Sequence, residues 1–67
     1  MIYMNNNTKT EVIERATEVF GDENKGLLWL NTFNVSLDDI PINILNNKDG
    51  IQKIIDILGR IEHGVFI

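Results

Sequence analysis

Apolar positions recur at helical spacing near both ends of the chain, and nowhere do they alternate with period two for long. Val12, Ile13, Ala16, Val19 and Phe20 fall within about 120° of a helical wheel, with Glu14 and Glu18 on the opposite side. Thr8-Lys9-Thr10-Glu11 has the capping-box spacing that opens such a helix, and Gly21 is placed to close it. Asp22 can then cap a second helix, with Glu23 favoured by the dipole in its first turn. That helix carries Gly26-Leu27-Leu28-Trp29-Leu30, in which Leu27 and Leu30 share a face, Leu28 lies between and Trp29 points away.

Asn31 to Asp39 reads as a turn-rich stretch with two apolar anchors, Val35 and Leu37. Pro41 suits the first turn of a short helix, where its missing N–H is harmless. Asp38 and Asp39 serve as its acidic caps, and Ile42 and Leu45 form its inner face. Asn46 and Asn47 break the chain and offer an N-cap to the last helix. There Ile51, Ile54, Ile55, Leu58 and Ile61 again span about 120° of the wheel. Asp49–Lys53 and Asp56–Arg60 are i,i+4 pairs in the favourable direction, and Gly64 fits the C′ position. The pattern predicts an all-α fold, a small compact bundle of about four helices, two of them short. It occupies residues 8–67 behind a flexible lead-in of residues 1–7.

Two features break the regularity of the last helix. Glu62 falls inside its apolar arc, between Ile51 and Ile55, which marks either the end of the helix or a partnered charge. Beyond Gly64, Val65, Phe66 and Ile67 place three apolar side chains at the chain end.

Size and charge narrow the function. With 67 residues there is room for one domain, and a domain of this size buries only about 60% of its unfolded surface. There is no cysteine to staple it, which leaves oligomerisation or a permanent partner as the means of adding stability. Ten acidic residues against six basic ones give a formal charge of −4, and Lys9, Arg15, Lys25, Lys48, Lys53 and Arg60 form no run. Phosphate neutralisation, the basis of nucleic-acid binding, is poorly served by that balance, whereas a basic protein surface would be attracted. No stretch approaches the ~20 apolar residues of a membrane span. The N-terminus lacks the cationic and apolar regions of a signal peptide, so a cytoplasmic protein is expected.

Catalytic chemistry is not apparent. His63 is the single histidine, and near a helix C-terminus it reads first as a dipole-stabilised surface residue, second as a partner contact. Ser36 has no neighbouring base and the five glycines form no phosphate cradle. No catalytic residues, metal ligands or cofactor are expected. Trp29 has two readings, a core side chain or an interface anchor.

Ala16-x-x-Val19-Phe20-Gly21, Trp29-Leu30, Leu37, Pro41-x-x-x-Leu45, Gly50 and Leu58-Gly59-Arg60-Ile61-Glu62-His63-Gly64 follow one another in a characteristic order. This ordered set resembles the C-terminal toxin-binding domain of Xre/MbcA/ParS-type antitoxins, from about residue 11 to the C-terminus. The resemblance implies a compact helical domain of a type II toxin–antitoxin system that neutralises a RES-domain, NAD-degrading toxin. It implies further that the C-terminal end obstructs the toxin's active site, in a homodimer or a higher hetero-complex. The chain departs from the family pattern in three places. It shows no helix-turn-helix, so DNA is not an expected partner; Asp38-Asp39 stand where glycines are usual; and Phe33 stands where proline is common.

The candidate partner-binding residues are therefore Arg60, Glu62, His63 and Gly64 with Val65, Phe66 and Ile67, and Trp29 as a possible anchor. The three tail residues form the apolar plug, each side chain contributing roughly 1.5–3 kcal/mol gross when buried. Arg60, Glu62 and His63 form its polar rim. The competing expectation is that the tail folds back on its own core. The alternative function is a stand-alone dimerisation or adaptor module without a toxin partner.

Overall fold

The structure, a computed structural model, describes residues 8–64. The expectations for the lead-in of residues 1–7 and for Val65, Phe66 and Ile67 lie outside the described residues.

Helix α1 spans Lys9–Phe20. Thr8 is extended, and its Oγ1 accepts the Glu11 N–H at 3.1 Å. Gly21 ends the helix at φ 77° and donates its N–H to the Thr17 carbonyl at 2.8 Å. A positive φ costs glycine little, which is why the chain can turn directly into the next helix. Helix α2 spans Glu23–Leu30. Asp22 occupies its N-cap by backbone geometry, but the carboxylate makes no capping hydrogen bond. The two helices meet closely at Gly26. A Cβ there would lie 3.0 Å from the Ala16 carbonyl carbon, so the missing side chain permits the approach.

The segment after α2 is bonded mainly to itself. The Asn34 N–H donates to the Asp39 carbonyl at 2.9 Å, forming an isolated antiparallel bridge. The Asn34 carbonyl accepts from Leu37 at 3.1 Å and Asp38 at 2.9 Å. This tight reversal turns Leu37 toward the core and Val35 outward, leaving Val35 86% exposed. Only one of the two expected anchors therefore holds the loop to the domain.

Pro41–Ile44 forms a 3₁₀ turn, with the Asn43 N–H donating to the Ile40 carbonyl at 2.9 Å. The expectation of about four helices is corrected, among the described residues, to three α-helices and this turn. Four residues before Asn46-Asn47 leave little room for i→i+4 bonds, whereas i→i+3 bonds close readily in short pieces. Helix α3 spans Lys48–Glu62 and is capped by Asn47, whose Oδ1 accepts the Gly50 N–H at 2.8 Å.

The core is Val12 and Ala16 from α1, Leu30 from α2, Leu45, and Ile51, Ile54 and Leu58 from α3. Ile13, Val19, Phe20, Leu27, Trp29, Leu37 and Ile55 pack around it, half-buried. Ile61, expected on this inner face, instead lines a surface groove beside Ile57. Neither expected i,i+4 ion pair on α3 closes; Asp56 accepts from Gln52 Nε2 at 3.0 Å. Such exposed pairs gain little Coulomb energy and lose side-chain entropy, so their absence costs the fold little.

Candidate functional site

The C-terminal end of α3 gathers four of the sequence-derived candidates. Glu62, the last residue of the helix, accepts from Arg15 Nη2 of α1 at 2.9 Å. Arg15 also reaches Glu18 at 3.2 Å, so one guanidinium joins two carboxylates. This accounts for a charge inside the apolar arc, because Glu62 sits where α3 faces α1 and has a cation waiting. The side chains are 32% exposed for Arg15 and 40% for Glu62, so solvent screens the pair.

His63 is the C-cap of α3 and lies exposed, its backbone N–H donating to the Gly59 carbonyl at 3.1 Å. Gly64 follows at φ 66°, with its N–H on the Ile61 carbonyl at 3.0 Å. A left-handed residue at C′ bonded to the C2 carbonyl is one half of a Schellman closure.

Arg60 points the site along the helix rather than off its end. It lines a groove of about 470 Å³ between α3 and the loop after α2. The apolar lining is Leu37, Ile57 and Ile61; Ser36, Lys53, Asp56 and Arg60 supply the polar part. Val35 immediately precedes the loop residues on this rim. Trp29 lies elsewhere, half-buried on α2 with its ring centroid 5.9 Å from that of Phe20. The structure thus places Arg60, Glu62, His63 and Gly64 on the last turn and cap of α3, and Trp29 on α2 beside Phe20.

Three contributors were not singled out from the sequence. Arg15 looked like one of six scattered cations, and its partner lies 47 residues away. Ile57 falls outside the arc that defines the inner face of α3, and an isoleucine outside that arc was the available signal. Val35 was assigned to the interior on its side chain alone.

Asp38 and Asp39 have distinct roles in the loop. Asp38 adopts φ 56°, a left-handed conformation that Asp tolerates better than most residues. Asp39 Oδ1 accepts from Asn43 Nδ2 at 3.1 Å and from the Ile40 N–H at 2.6 Å. The Asn43 hydrogen bond and then the Ile40 N–H hold this exposed carboxyl below its ordinary value. It pins the 3₁₀ turn from outside rather than capping it, since Ile40 is the N-cap residue.

Among the described residues, no three His, Cys, Asp or Glu side chains come together in a metal-binding arrangement. None of the helices there is long and apolar enough to cross a membrane. What the surface offers is protein contact, an apolar groove with charged edges beside a capped helix end.

Residues 15–64 match the family described as the antitoxin Xre/MbcA/ParS C-terminal toxin-binding domain. A relative from Yersinia enterocolitica (serotype O:8 / biotype 1B), named Antitoxin Xre, is 35% identical over 57 residues, covering 82% of this chain and 38% of the relative. The chain thus spans well under half the length of that curated relative. No solved structure matches significantly.

Proposed function

The chain belongs to the antitoxin Xre/MbcA/ParS C-terminal toxin-binding domain family, and from that premise we propose that it neutralises a RES-domain, NAD-degrading toxin in the cytoplasm. The observation that carries this reading is the extent of the match, which takes in the second half of α1, α2, the loop, the 3₁₀ turn and α3. The chain acts by occupying a surface and catalyses nothing itself. Its C-terminal end, from Arg60 through Glu62, His63 and Gly64 to Val65, Phe66 and Ile67, obstructs the entrance to the toxin's active site. The complex is built on a homodimer or a higher hetero-assembly, which supplies the buried area that so small a domain lacks.

The test is intracellular NAD in cells expressing the RES-domain toxin encoded beside this chain, with and without the chain. Restored NAD and growth support the reading; NAD that stays depleted while the chain is present and folded removes it and favours the adaptor module. Deletion of residues 65–67 is expected to weaken toxin binding by about tenfold or more, since three apolar side chains leave the contact.

A further inference from the structure

The groove along α3 has a chemistry opposite to that of the chain as a whole. The chain carries a formal charge of −4, yet the groove collects Lys53 and Arg60 against a single carboxylate, Asp56. Asp56 already accepts from Gln52 Nε2 at 3.0 Å, while the ion pairs among the described residues use Arg15 and neither groove cation. Between these charges lie Leu37, Ile57 and Ile61. Val35 directly precedes Ser36 and Leu37 of this lining in the chain, and at 86% it is the most exposed large apolar side chain described.

Val35 does not stand out because its loop is loose. The loop is closed by the Asn34–Asp39 bridge, by the N–H groups of Leu37, Asp38 and Asp39 on the Asn34 carbonyl and by the Asp39 side chain on Ile40 and Asn43. A preformed loop that displays an apolar side chain loses little conformational entropy when that side chain is covered. The whole surface, from Val35 to Ile61, lies within the matched toxin-binding segment 15–64, and Arg60 joins it to the C-terminal end.

We infer that this groove is a second toxin contact, and that its occupant is an apolar toxin segment carrying a carboxylate. The apolar side chains of that segment rest on Leu37, Ile57 and Ile61 and against Val35, and its carboxylate lies between Lys53 and Arg60. The inference rests on the toxin-binding reading and deepens it, because it places the contact along the helix as well as at its end. A two-point contact also fixes the direction in which the C-terminal end meets the toxin.

The test is calorimetric titration of the full chain into the purified RES-domain toxin encoded beside it, at several salt concentrations. The Lys53→Glu chain, which leaves Arg60 of the C-terminal end in place, is compared with Lys25→Glu, which changes the net charge equally at an exposed site outside the groove. The groove variant is expected to weaken binding by about tenfold or more and to flatten the salt dependence, and the control by about twofold or less. Val35→Ser, a change at an exposed side chain that leaves the core intact, is expected to weaken binding about fivefold without altering the salt dependence. Circular dichroism confirms that each variant is helical. Equal losses in the groove and control variants overturn the inference and leave the toxin-binding reading standing. A wild-type chain that does not bind the toxin overturns both. Variants that alter self-association and leave toxin affinity unchanged assign the groove to a second copy of the chain and overturn the inference as well.

Discussion

The two long faces of α3 are built from the same residue types and meet opposite fates. On the inner face Ile51, Ile54 and Leu58 are buried in one core cluster with Val12, Ala16, Leu30 and Leu45. On the outer face Ile57 and Ile61 have one neighbouring apolar residue from the loop, Leu37, and otherwise line an open groove edged by Lys53 and Arg60. Hydrophobicity alone therefore does not assign a side chain to the core. What decides is whether another element arrives to cover it. Here α1 and the 3₁₀ segment cover one face, and the loop covers the other only in part.

The sharpest way to break this contrast is to truncate one side chain from each face. Ile54→Ala leaves a cavity in the closed core and is expected to lower stability by about 2–5 kcal/mol, read from urea unfolding. Ile57→Ser removes a half-buried side chain whose environment is already open to water, and the expected loss is about 1 kcal/mol or less. Equal losses would mean that the groove is part of the core. A chain with Ile57→Ser that stays folded but binds toxin less well would assign the outer face to the partner.

The inner face was legible because a helix registers its burial as periodicity. Val12, Ala16, Leu30, Ile51, Ile54 and Leu58 are core residues that the pattern identifies without help. The caps were legible too, since Thr8, Gly21 and Asn47 act through local backbone geometry. Long-range facts left no such trace. Arg15 and Glu62 pair across 47 residues, and nothing near either one announces the other. Val35 and Leu37 share a spacing that suits two anchors, and only the bridge from Asn34 to Asp39 decides which one faces inward. The Pro41 segment carried a sound helix-start signal but was too short to express it as an α-helix.

Two glycines on α3 offer a second, smaller contrast. A Cβ on Gly50 would collide with the Ile44 carbonyl oxygen, a backbone atom that cannot swing aside. Gly50→Ala is therefore expected to destabilise the fold by about 1–3 kcal/mol, as overpacking does. Gly59 meets nothing within 4 Å and has an ordinary helical φ. Gly59→Ala is expected to stabilise the domain by up to about 1 kcal/mol through helix propensity alone. Thermal unfolding of the two variants should move in opposite directions. If Gly59→Ala raises the midpoint yet weakens toxin binding, the space above Gly59 belongs to the partner.

The ion pair between α1 and the end of α3 gives the smallest expected effect. Arg15 and Glu62 are both partly exposed, which limits the Coulomb gain, but the contact ties the last turn of α3 to the first helix. A double-mutant cycle with Arg15→Gln and Glu62→Gln is expected to show a coupling of about 0.2–1 kcal/mol, falling as salt rises. The cycle cancels what each change does alone, including loss of the Arg15–Glu18 contact. Amide exchange at Ile61 and His63 should quicken in the double variant if the pair restrains the helix end. A coupling near zero with unchanged exchange would mean that the end of α3 is held by its backbone closure and the neighbouring core. Glu62 would then be free to exchange Arg15 for a cation on the toxin without loosening the helix that presents it.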